Sequence, residues 1–474
     1  MNKIFLSIAC IIFIAISSQS VIVFSQNSGD SKALANHQKL ARDIFRELIE
    51  INTTLNVGST KAAEAMAARL RTAGFPESDI QLMGPRPENM NLVVRYHGKG
   101  TLRPILMIGH LDVVEALRQD WSIDPFTFFE KDGYFYGRGT SDMKCEDADI
   151  VANLIRLKGE GFIPNRDIIV ALTEHEEGGN ANGISWLLAN RRDLIDAEFA
   201  INLEGGGGEI KVGKSMQMEV QTSEKIYISF QLEVKNRGGH SSLPVKDNAI
   251  YHLSAGLNRL AQYDFPIRLN ETTRTFFERT AIKETGQIRA DMFAILKTPL
   301  DTAAANRLAA ASSYYNAMMR TTCIPTMLSG GHAENALPQT ARAVVNCRML
   351  PDDSVENVLT TLYRILADSQ ITVTQRGQPR PAPMSPLRKD VMDIVEELTA
   401  SMWPGVTVTP IMSTGASDGR YLRQAGIPVY GVSGIFADID DVRAHGRDER
   451  IGVKEFYEGV EFMYKFIKTL TSGS

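Results

Sequence analysis

The sequence contains little cysteine. Only four of its 474 residues are cysteines, and beyond Cys10 only Cys145, Cys323 and Cys347 remain. Three thiols do not make a disulfide framework, so a large apolar core is expected to hold the fold. The chain also has no Cys-x-x-Cys pair, which excludes the common zinc sites built from paired thiolates.

The chain also lacks an excess of positive charge. Its 51 basic and 56 acidic residues give a formal net charge of −5, which argues against nucleic acid or an anionic membrane surface as a partner. We find no internal repeat and no long low-complexity tract. The composition is that of a globular protein, and the length exceeds that of one ordinary core, so two domains are expected.

The first 25 residues differ from the rest of the chain. One lysine precedes an apolar run from Ile4 to Ile16, and small polar residues follow it. This layout is typical of a secretory signal peptide, so residues 1–25 are predicted to direct export to the periplasm or the extracellular space. The alternative is that the segment stays uncleaved and anchors the protein in a membrane.

Apolar runs alternate with helical stretches over residues 31–215. Strands are predicted at NLVVRY, PILMIGH, DIIVALT and EFAINLE. Such alternation predicts an α/β catalytic domain with a mixed, mostly parallel sheet. The same rhythm resumes over residues 385–474, so this domain is expected to be discontinuous in sequence.

The intervening residues, 216–384, have a different pattern. In KIYISFQLEVK apolar and polar residues alternate, which is typical of a strand with one solvent-facing side. Further strands and helices follow, with a mostly helical insertion over residues 270–322. These residues are predicted to form an inserted α+β, ferredoxin-like domain that serves as a lid or for dimerisation.

Polar residues that could bind metal occur at strand ends and helix starts. They are His110, Asp142, Glu177, Glu204 and His445. Each has an ordinary structural explanation; for example, Asp142 could cap a helix. However, ligands of open α/β sheets bind beyond the carboxyl ends of the strands. Carboxylates gathered there repel one another unless cations neutralise them.

Two imidazoles and three carboxylates form a ligand set that suits a borderline divalent metal such as zinc. Asp112 follows His110 by two residues. A carboxylate in that position is expected to accept the second ring N–H of the histidine and so to orient it. Glu174 and His175, which precede Glu177, are expected to be structural.

Nine motifs make the chain resemble the M20 family of metallopeptidases, which includes glutamate carboxypeptidase, aminoacylase and carnosinase relatives. The resemblance covers roughly residues 36–472, and the insertion makes it strongest to the carboxypeptidase S-like branch. In chain order the motifs are GHLDVV, GRGTSDMK, TEHEEGG, NLEGG, RGGHSSLP, ENALP, VNCRMLP, ASDGRY and HGRDERI.

The resemblance implies a pair of zinc ions, with cobalt or manganese as alternatives. One ion would be held by His110, Asp142 and Glu204, and the other by Asp142, Glu177 and His445, so that Asp142 bridges them. Paired metals of this kind lie about 3.5–4 Å apart. The resemblance also implies a cis peptide bond after Asp142.

The resemblance further implies catalytic roles for residues outside the ligand set. Glu176 would act as the general base that takes a proton from the attacking water and delivers it to the leaving amine. The alternative is an ordinary surface glutamate. His240 resembles the family histidine that stabilises the oxyanion, often across a dimer, so a homodimer is a candidate assembly.

Three positions are expected to bind substrate. Arg348 and Asn335 match family positions that hold the free carboxylate of the substrate, a task that suits the arginine fork. Alternatively, Arg348 pairs with a nearby acid and Asn335 shapes a turn. Gly415, together with Asp418, is expected to line the pocket.

The sequence therefore predicts an exported zinc hydrolase that cleaves an amide bond next to a free carboxylate. Dipeptides or the C-terminal residues of peptides would make it a dipeptidase or carboxypeptidase, and N-acyl amino acids would make it an aminoacylase. A third reading is a binding protein on an inactive enzyme scaffold. The presence of all five ligands and of Glu176 favours an enzyme.

Overall fold

The computed structural model describes residues 34–100 and 102–472, so the predicted signal peptide lies outside the described residues. Among those described, no helix is both long enough and apolar enough to cross a bilayer. The α-helices are α1 Asn36–Glu50, α2 Thr60–Thr72, α3 Lys144–Gly159, α4 Gly183–Asn190, α5 Arg192–Ile195, α6 Ala249–Ala261, α7 Glu271–Lys283, α8 Gly286–Ile295, α9 Thr302–Ala311, α10 Ser313–Met319, α11 Val355–Leu366, α12 Lys389–Met402, α13 Gly419–Gln424 and α14 Val453–Thr471.

The strands form one large sheet and several smaller ones. They are β1 Ile80–Arg86, β2 Asn89–Tyr96, β3 Leu102–His110, β4 Phe129–Lys131, β5 Tyr134–Tyr136, β6 Arg166–Thr173, β7 Phe199–Asn202, β8 Gly207–Lys211, β9 Lys214–Glu224, β10 Ile226–Lys235, β11 Gly239–His240, β12 Thr322–Gly330, β13 Ala336–Leu337, β14 Thr340–Met349, β15 Ile371–Arg376, β16 Thr407–Ser413, β17 Val429–Gly431, β18 Phe436–Asp438 and β19 Arg450–Gly452.

The large sheet has ten strands in the order β1-β2-β6-β3-β7-β17-β9-β8-β18, with β16 pairing with β9 off this path. Its centre, β6-β3-β7-β17, is parallel, whereas β1 pairs antiparallel with β2, β2 with β6, and β8 with β9. Helices cover both faces, so the central strands are continuous apolar runs. The predicted α/β class with a mixed sheet is confirmed.

Two apolar cores flank this sheet. On one face α1, α3 and α14 contribute buried side chains such as Phe45, Leu154 and Phe456. On the other face α4 and α13 contribute Ile184 and Leu422. Because β3, β6 and β7 run parallel between these layers, the residues that follow them emerge at one edge of the sheet.

A second, four-stranded sheet has the order β12-β14-β10-β15 and is antiparallel. The alternation predicted for β10 places Phe230 and Leu232 in a core with α6 and α11. We call this sheet and its two helices the lid layer. β9 belongs to the large sheet and ends at Glu224, and β10 begins at Ile226, so Lys225 alone separates the two sheets. The domain limits given above stay a prediction.

One expectation about the cysteines needs correction. Cys323 on β12 and Cys347 on β14 lie directly opposite each other and form a disulfide bond. The strand register places them together although 24 residues separate them in the sequence. A cross-link therefore supplements the apolar core of the lid layer, and Cys145 stays free and buried.

Candidate metal centre and active site

His110 ends β3 at the open edge of the large sheet and is buried. Its Nδ1 lies 3.0 Å from the backbone carbonyl oxygen of Asp112, and since a carbonyl only accepts, Nδ1 is the protonated nitrogen. The Asp112 carboxylate, which was the expected partner, is 3.7 Å from the same nitrogen. This contact leaves Nε2 with a free lone pair that faces Asp142, as a metal ligand requires.

Asp142 lies between two imidazoles just before α3. Its Oδ1 is 3.2 Å from Nε2 of His110, and its Oδ2 is 3.0 Å from Nε2 of His445. The peptide bond between Asp142 and Met143 is cis, as the resemblance implied. With one oxygen directed to each histidine, this carboxylate has the geometry of a bridging ligand.

The remaining predicted ligands join the same cluster. Glu177 Oε1 lies 2.8 Å from Nε2 of His445. Ligand atoms of His110, Asp142 and Glu177 all lie within 4.8 Å of one another, and the same holds for His110, Glu176 and Glu204. Five side chains that are spread over more than three hundred positions, together with Glu176, thus meet at one edge of the sheet.

Asp112 has a second contact that the sequence did not reveal. Its two carboxylate oxygens accept hydrogen bonds from the backbone N–H groups of Glu176 and Glu177, each at 3.1 Å. Asp112 is itself buried. It therefore fixes the backbone of the turn that carries both the expected base and one of the ligands.

The chemistry of the cluster fits divalent cations. The buried atoms Nε2 of His110 and Oδ1 of Asp142 face each other without forming a hydrogen bond. Burial, and then the charge of Glu176, raise the pKa of Glu204 well above its usual range. Positive ions between these groups would satisfy the free electron pairs and relieve the repulsion between carboxylates.

A buried ion pair supports the cluster from behind. The Glu449 carboxylate accepts hydrogen bonds from Arg138 and from the backbone N–H groups of Gly139, Ser141 and Asp142 at 2.5–3.1 Å. Arg138 Nη2 also donates to the carbonyl of Gly446 at 3.1 Å. Neither residue was predicted to belong to the site, although Arg138 lies within the motif GRGTSDMK and Glu449 within HGRDERI.

Glu176 is half-buried beside a second acid. Burial, and then the negative charge of Asp418, raise the pKa of Glu176 to about 8. Asp418 is buried, and its carboxylate accepts hydrogen bonds from Asn182 and from the Thr173 hydroxyl. A carboxylate with a raised pKa, placed next to the ligand cluster, suits proton transfer near neutral pH.

A cleft connects this cluster to the lid layer. It has a volume of about 550 Å³, and Glu176, Glu177, Arg348 and Gly415 line it. His240 and Asn335 lie elsewhere, exposed on a two-stranded ribbon in which His240 pairs with Ala336. The structure therefore brings Arg348 and Gly415 to the expected base, and leaves His240 and Asn335 exposed on the separate β11–β13 ribbon, away from the cleft.

Glu174 and His175 lie behind the site. Glu174 is fully buried, and its Oε2 is 3.2 Å from Nε2 of His175. The same nitrogen is 3.1 Å from Nδ2 of Asn89. These contacts agree with the structural role expected for the two residues.

An α/β fold with helices on both faces of its sheet, with histidine and carboxylate side chains gathered at the carboxyl ends of its strands, and with an adjacent free glutamate, defines a metal-dependent hydrolase. The sequence profile of peptidase family M20/M25/M40 matches residues 106–469. The chain thus belongs to the M20 peptidase family. Peptidases and an aminoacylase occur among its relatives, and the chain is an enzyme of this hydrolase class.

Curated relatives include N-acyl amino acid enzymes and carboxypeptidases. The chain is 30% identical over 379 residues to the N-fatty-acyl-amino acid synthase/hydrolase PM20D1 of Homo sapiens. The alignment covers 78% of this chain and 74% of the human protein. It is 28% identical over 390 residues to the probable carboxypeptidase S-like 2 of Dictyostelium discoideum, and this alignment covers 80% of this chain and 74% of the relative. Aminoacylase-1 of Sus scrofa is 26% identical over 449 residues, with 90% and 95% covered.

Solved structures share the fold. The M20 family metallo-carboxypeptidase Sso-CP2 of Sulfolobus solfataricus superposes with a TM-score of 0.66 at 16% identity, covering 91% of this chain and 99% of that one. The Bacillus subtilis protein YXEP, described as a dinuclear metal binding peptidase from the M20 family, gives a TM-score of 0.56 at 12% identity, with 92% and 98% covered.

Proposed function

We propose that the protein is a dinuclear zinc hydrolase that cleaves an amide bond next to a free carboxylate. His110, Asp142 and Glu204 would hold one ion, and Asp142, Glu177 and His445 the other. The observation that carries the proposal is the position of Asp142, whose two carboxylate oxygens lie 3.2 and 3.0 Å from two different histidines. Paired zinc ions in this position would polarise the scissile carbonyl and activate water.

The side chains of the cleft perform the remaining steps. Glu176 accepts the proton of the attacking water and passes it to the leaving amine. Asp112 holds the Glu176–Glu177 backbone in place through its two hydrogen bonds. Arg348, on the lid side of the cleft, binds the free carboxylate of the substrate.

N-acyl amino acids are the first substrate class that we propose. The relatives with 28–30% identity include several N-fatty-acyl-amino acid synthase/hydrolases. Dipeptides and peptide C-termini are the second class, because carboxypeptidase S-like proteins lie at similar identity. In both classes the scissile amide nitrogen and a free carboxylate belong to the same amino acid residue, which matches a cleft with metal ligands on one side and Arg348 on the other.

A panel of N-acyl amino acids and dipeptides, assayed by release of free amino acid, tests this function. Zinc-loaded protein should release amino acid from at least one class, and chelator should abolish the release. Glu176→Gln should lower kcat by about 10²–10⁴-fold while retaining the metal content of the wild type. Absence of turnover over the whole panel, or full turnover by Glu176→Gln, would contradict the proposal.

We also propose export and a homodimer in which His240 acts in the active site of the second subunit. Exposure of His240, away from the cleft, supports this assignment, as does the free edge strand β12, which pairs only with β14 in its sheet. Co-expression of His240→Ala and Glu176→Gln chains tests it. By subunit statistics about half of the co-expressed dimers are mixed and each mixed dimer has one working site of two, so the co-expressed protein should recover about a quarter of the wild-type activity per chain, whereas each variant alone should be inactive.

A further inference from the structure

The cleft contains more positive charge than one substrate carboxylate requires. Besides Glu176 and Glu177, it is lined by four basic side chains: Lys225, Arg348, Arg380 and Arg420. Among the residues that the structure describes, none of these four has a carboxylate oxygen within the 4.0 Å of an ion pair. Lys225 is buried and its Nζ donates to the backbone carbonyl of Arg320, so the three arginines are the positive charges that an anion in the cleft would meet.

Glu224 is the only other acid that lines the described cleft, and its oxygens are already occupied. Oε1 lies 3.0 Å from Arg423 Nη1, and Oε2 lies 2.8 Å from the backbone nitrogen of Ser417. The pair of Glu224 and Arg423 is almost fully buried. Glu224 therefore belongs to the framework of the cleft and does not neutralise its arginines.

Two of the arginines, Arg380 and Arg420, contact the same ring. The guanidinium carbons of Arg380 and Arg420 lie 4.5 and 4.7 Å from the centre of the Tyr421 ring. Such cation–π contacts hold a guanidinium in place but do not neutralise it. The Arg380–Arg420 pair is thus oriented, partly exposed to the cleft and available to an anion.

Arg348 provides a separate position for a negative charge. Its guanidinium carbon lies 4.7 Å from the centre of the Tyr227 ring, on the lid side of the cleft. Burial, and then the charge of Arg420, lower the pKa of Arg348. Arg348 lines the same cleft of about 550 Å³ as Arg380 and Arg420, so a single amino acid bound there would face all three arginines.

We propose that Arg380 and Arg420 bind a second carboxylate, on the side chain of the amino acid that the reaction releases. The enzyme would then prefer amides of aspartate or glutamate. This inference rests on the proposed function, in which Arg348 binds the α-carboxylate. A single guanidinium can bind one carboxylate through two hydrogen bonds. Arg348 alone can therefore hold the α-carboxylate, which leaves Arg380 and Arg420 for the carboxylate of the side chain.

The test compares N-acetyl-L-glutamate with N-acetyl-L-glutamine, which differ in the side-chain charge alone. Wild-type kcat/KM should be at least about tenfold higher for the glutamate compound, since a charge-assisted hydrogen bond contributes about 1.5–3 kcal/mol. Arg380→Met and Arg420→Gln should each remove most of this preference by slowing the glutamate compound only. Arg376→Met, an exposed arginine outside the cleft, is the matched control and should keep the preference.

Equal kcat/KM values for the two compounds, or equal losses on both in Arg380→Met, would overturn the inference while leaving the proposed function intact. Calorimetric binding of both compounds to zinc-loaded Glu176→Gln protein separates the two proposals. Selective binding of N-acetyl-L-glutamate without any hydrolysis by the wild type would support the inference and contradict the proposed function. Equal affinities for the two compounds would overturn the inference whatever the turnover.

Discussion

Arg138 and Glu449 form a buried ion pair, with Nη1 of the arginine 2.5 Å from Oε2 of the glutamate. Arg138 precedes Asp142 by four residues, and Glu449 follows His445 by four. The pair therefore ties together the two loops that carry these proposed metal ligands. Its hydrogen bonds to Gly139, Ser141 and Asp142 show that Glu449 fixes the backbone of the first loop.

Glu449→Gln should therefore weaken both folding and metal binding. Removal of one partner of a buried pair leaves Arg138 without its counter-ion, so we expect the free energy of unfolding to fall by about 3 kcal/mol or more. Urea denaturation and a zinc titration measure the two effects.

Glu233→Gln is the control, because it removes the partner of Arg342 at the surface of the lid layer. It should lower the free energy of unfolding by at most about 1 kcal/mol and leave zinc affinity unchanged. Equal effects of the two substitutions would contradict this role.

Asp112→Asn should slow catalysis without loss of the fold. The variant keeps only one side-chain oxygen for the two backbone N–H groups of Glu176 and Glu177, and its amide N–H2 group repels the other. Activity or zinc affinity should fall by about 10–100-fold, as for other groups that orient metal ligands. Steady-state kinetics at saturating zinc, with the exposed Asp120→Asn as control, distinguish this role from a general loss of charge. Wild-type kinetics for Asp112→Asn would show that the contact is dispensable.

The stability of the protein should fall with rising pH because of Glu219 on β9. Burial, and then the charge of Glu209, raise the pKa of the Glu219 carboxyl to about 8. The folded state therefore retains a proton that the unfolded state loses from about pH 4.5 upwards, so this stabilising contribution decreases between pH 4.5 and 8. The slope is at most about 1.4 kcal/mol per pH unit for one proton.

Glu219→Gln should remove that pH-dependent loss. The melting temperature of the variant should exceed that of the wild type by an amount that grows from pH 5 to pH 8. Glu334→Gln, at an exposed position, should follow the wild-type curve. Parallel curves for wild type and Glu219→Gln over this range would show that Glu219 is ionised in the folded protein.

The ligand set was accessible from the sequence because buried parallel strands give distinctive apolar runs. His110 follows such a run directly, and the parallel order of β3, β6 and β7 brings the residues beyond them to one edge. The resemblance implied the cis bond after Asp142, which the structure contains, whereas the pairing of ligands around two ions stays a prediction. Local pattern and motif order were therefore sufficient to predict which side chains meet at the centre of the site.

The supporting contacts were not accessible, because each depends on tertiary structure. Arg138 and Glu449 are 311 positions apart, and neither lies in a pattern that marks a buried charge. The disulfide between Cys323 and Cys347 depends on the register of β12 against β14. The Arg380–Arg420 pair forms only where the coil after β15 approaches α13, and no spacing in the sequence indicates that contact.

The central claim, that His110, Asp142, Glu177, Glu204 and His445 hold two metal ions, is tested most directly by anomalous diffraction at the zinc edge. Crystals of zinc-loaded protein should give two anomalous peaks, both within bonding distance of Asp142, one beside His110 and the other beside His445. Crystals of Asp142→Ala should lose at least one of them. A single peak, or none among these five side chains, would contradict the account.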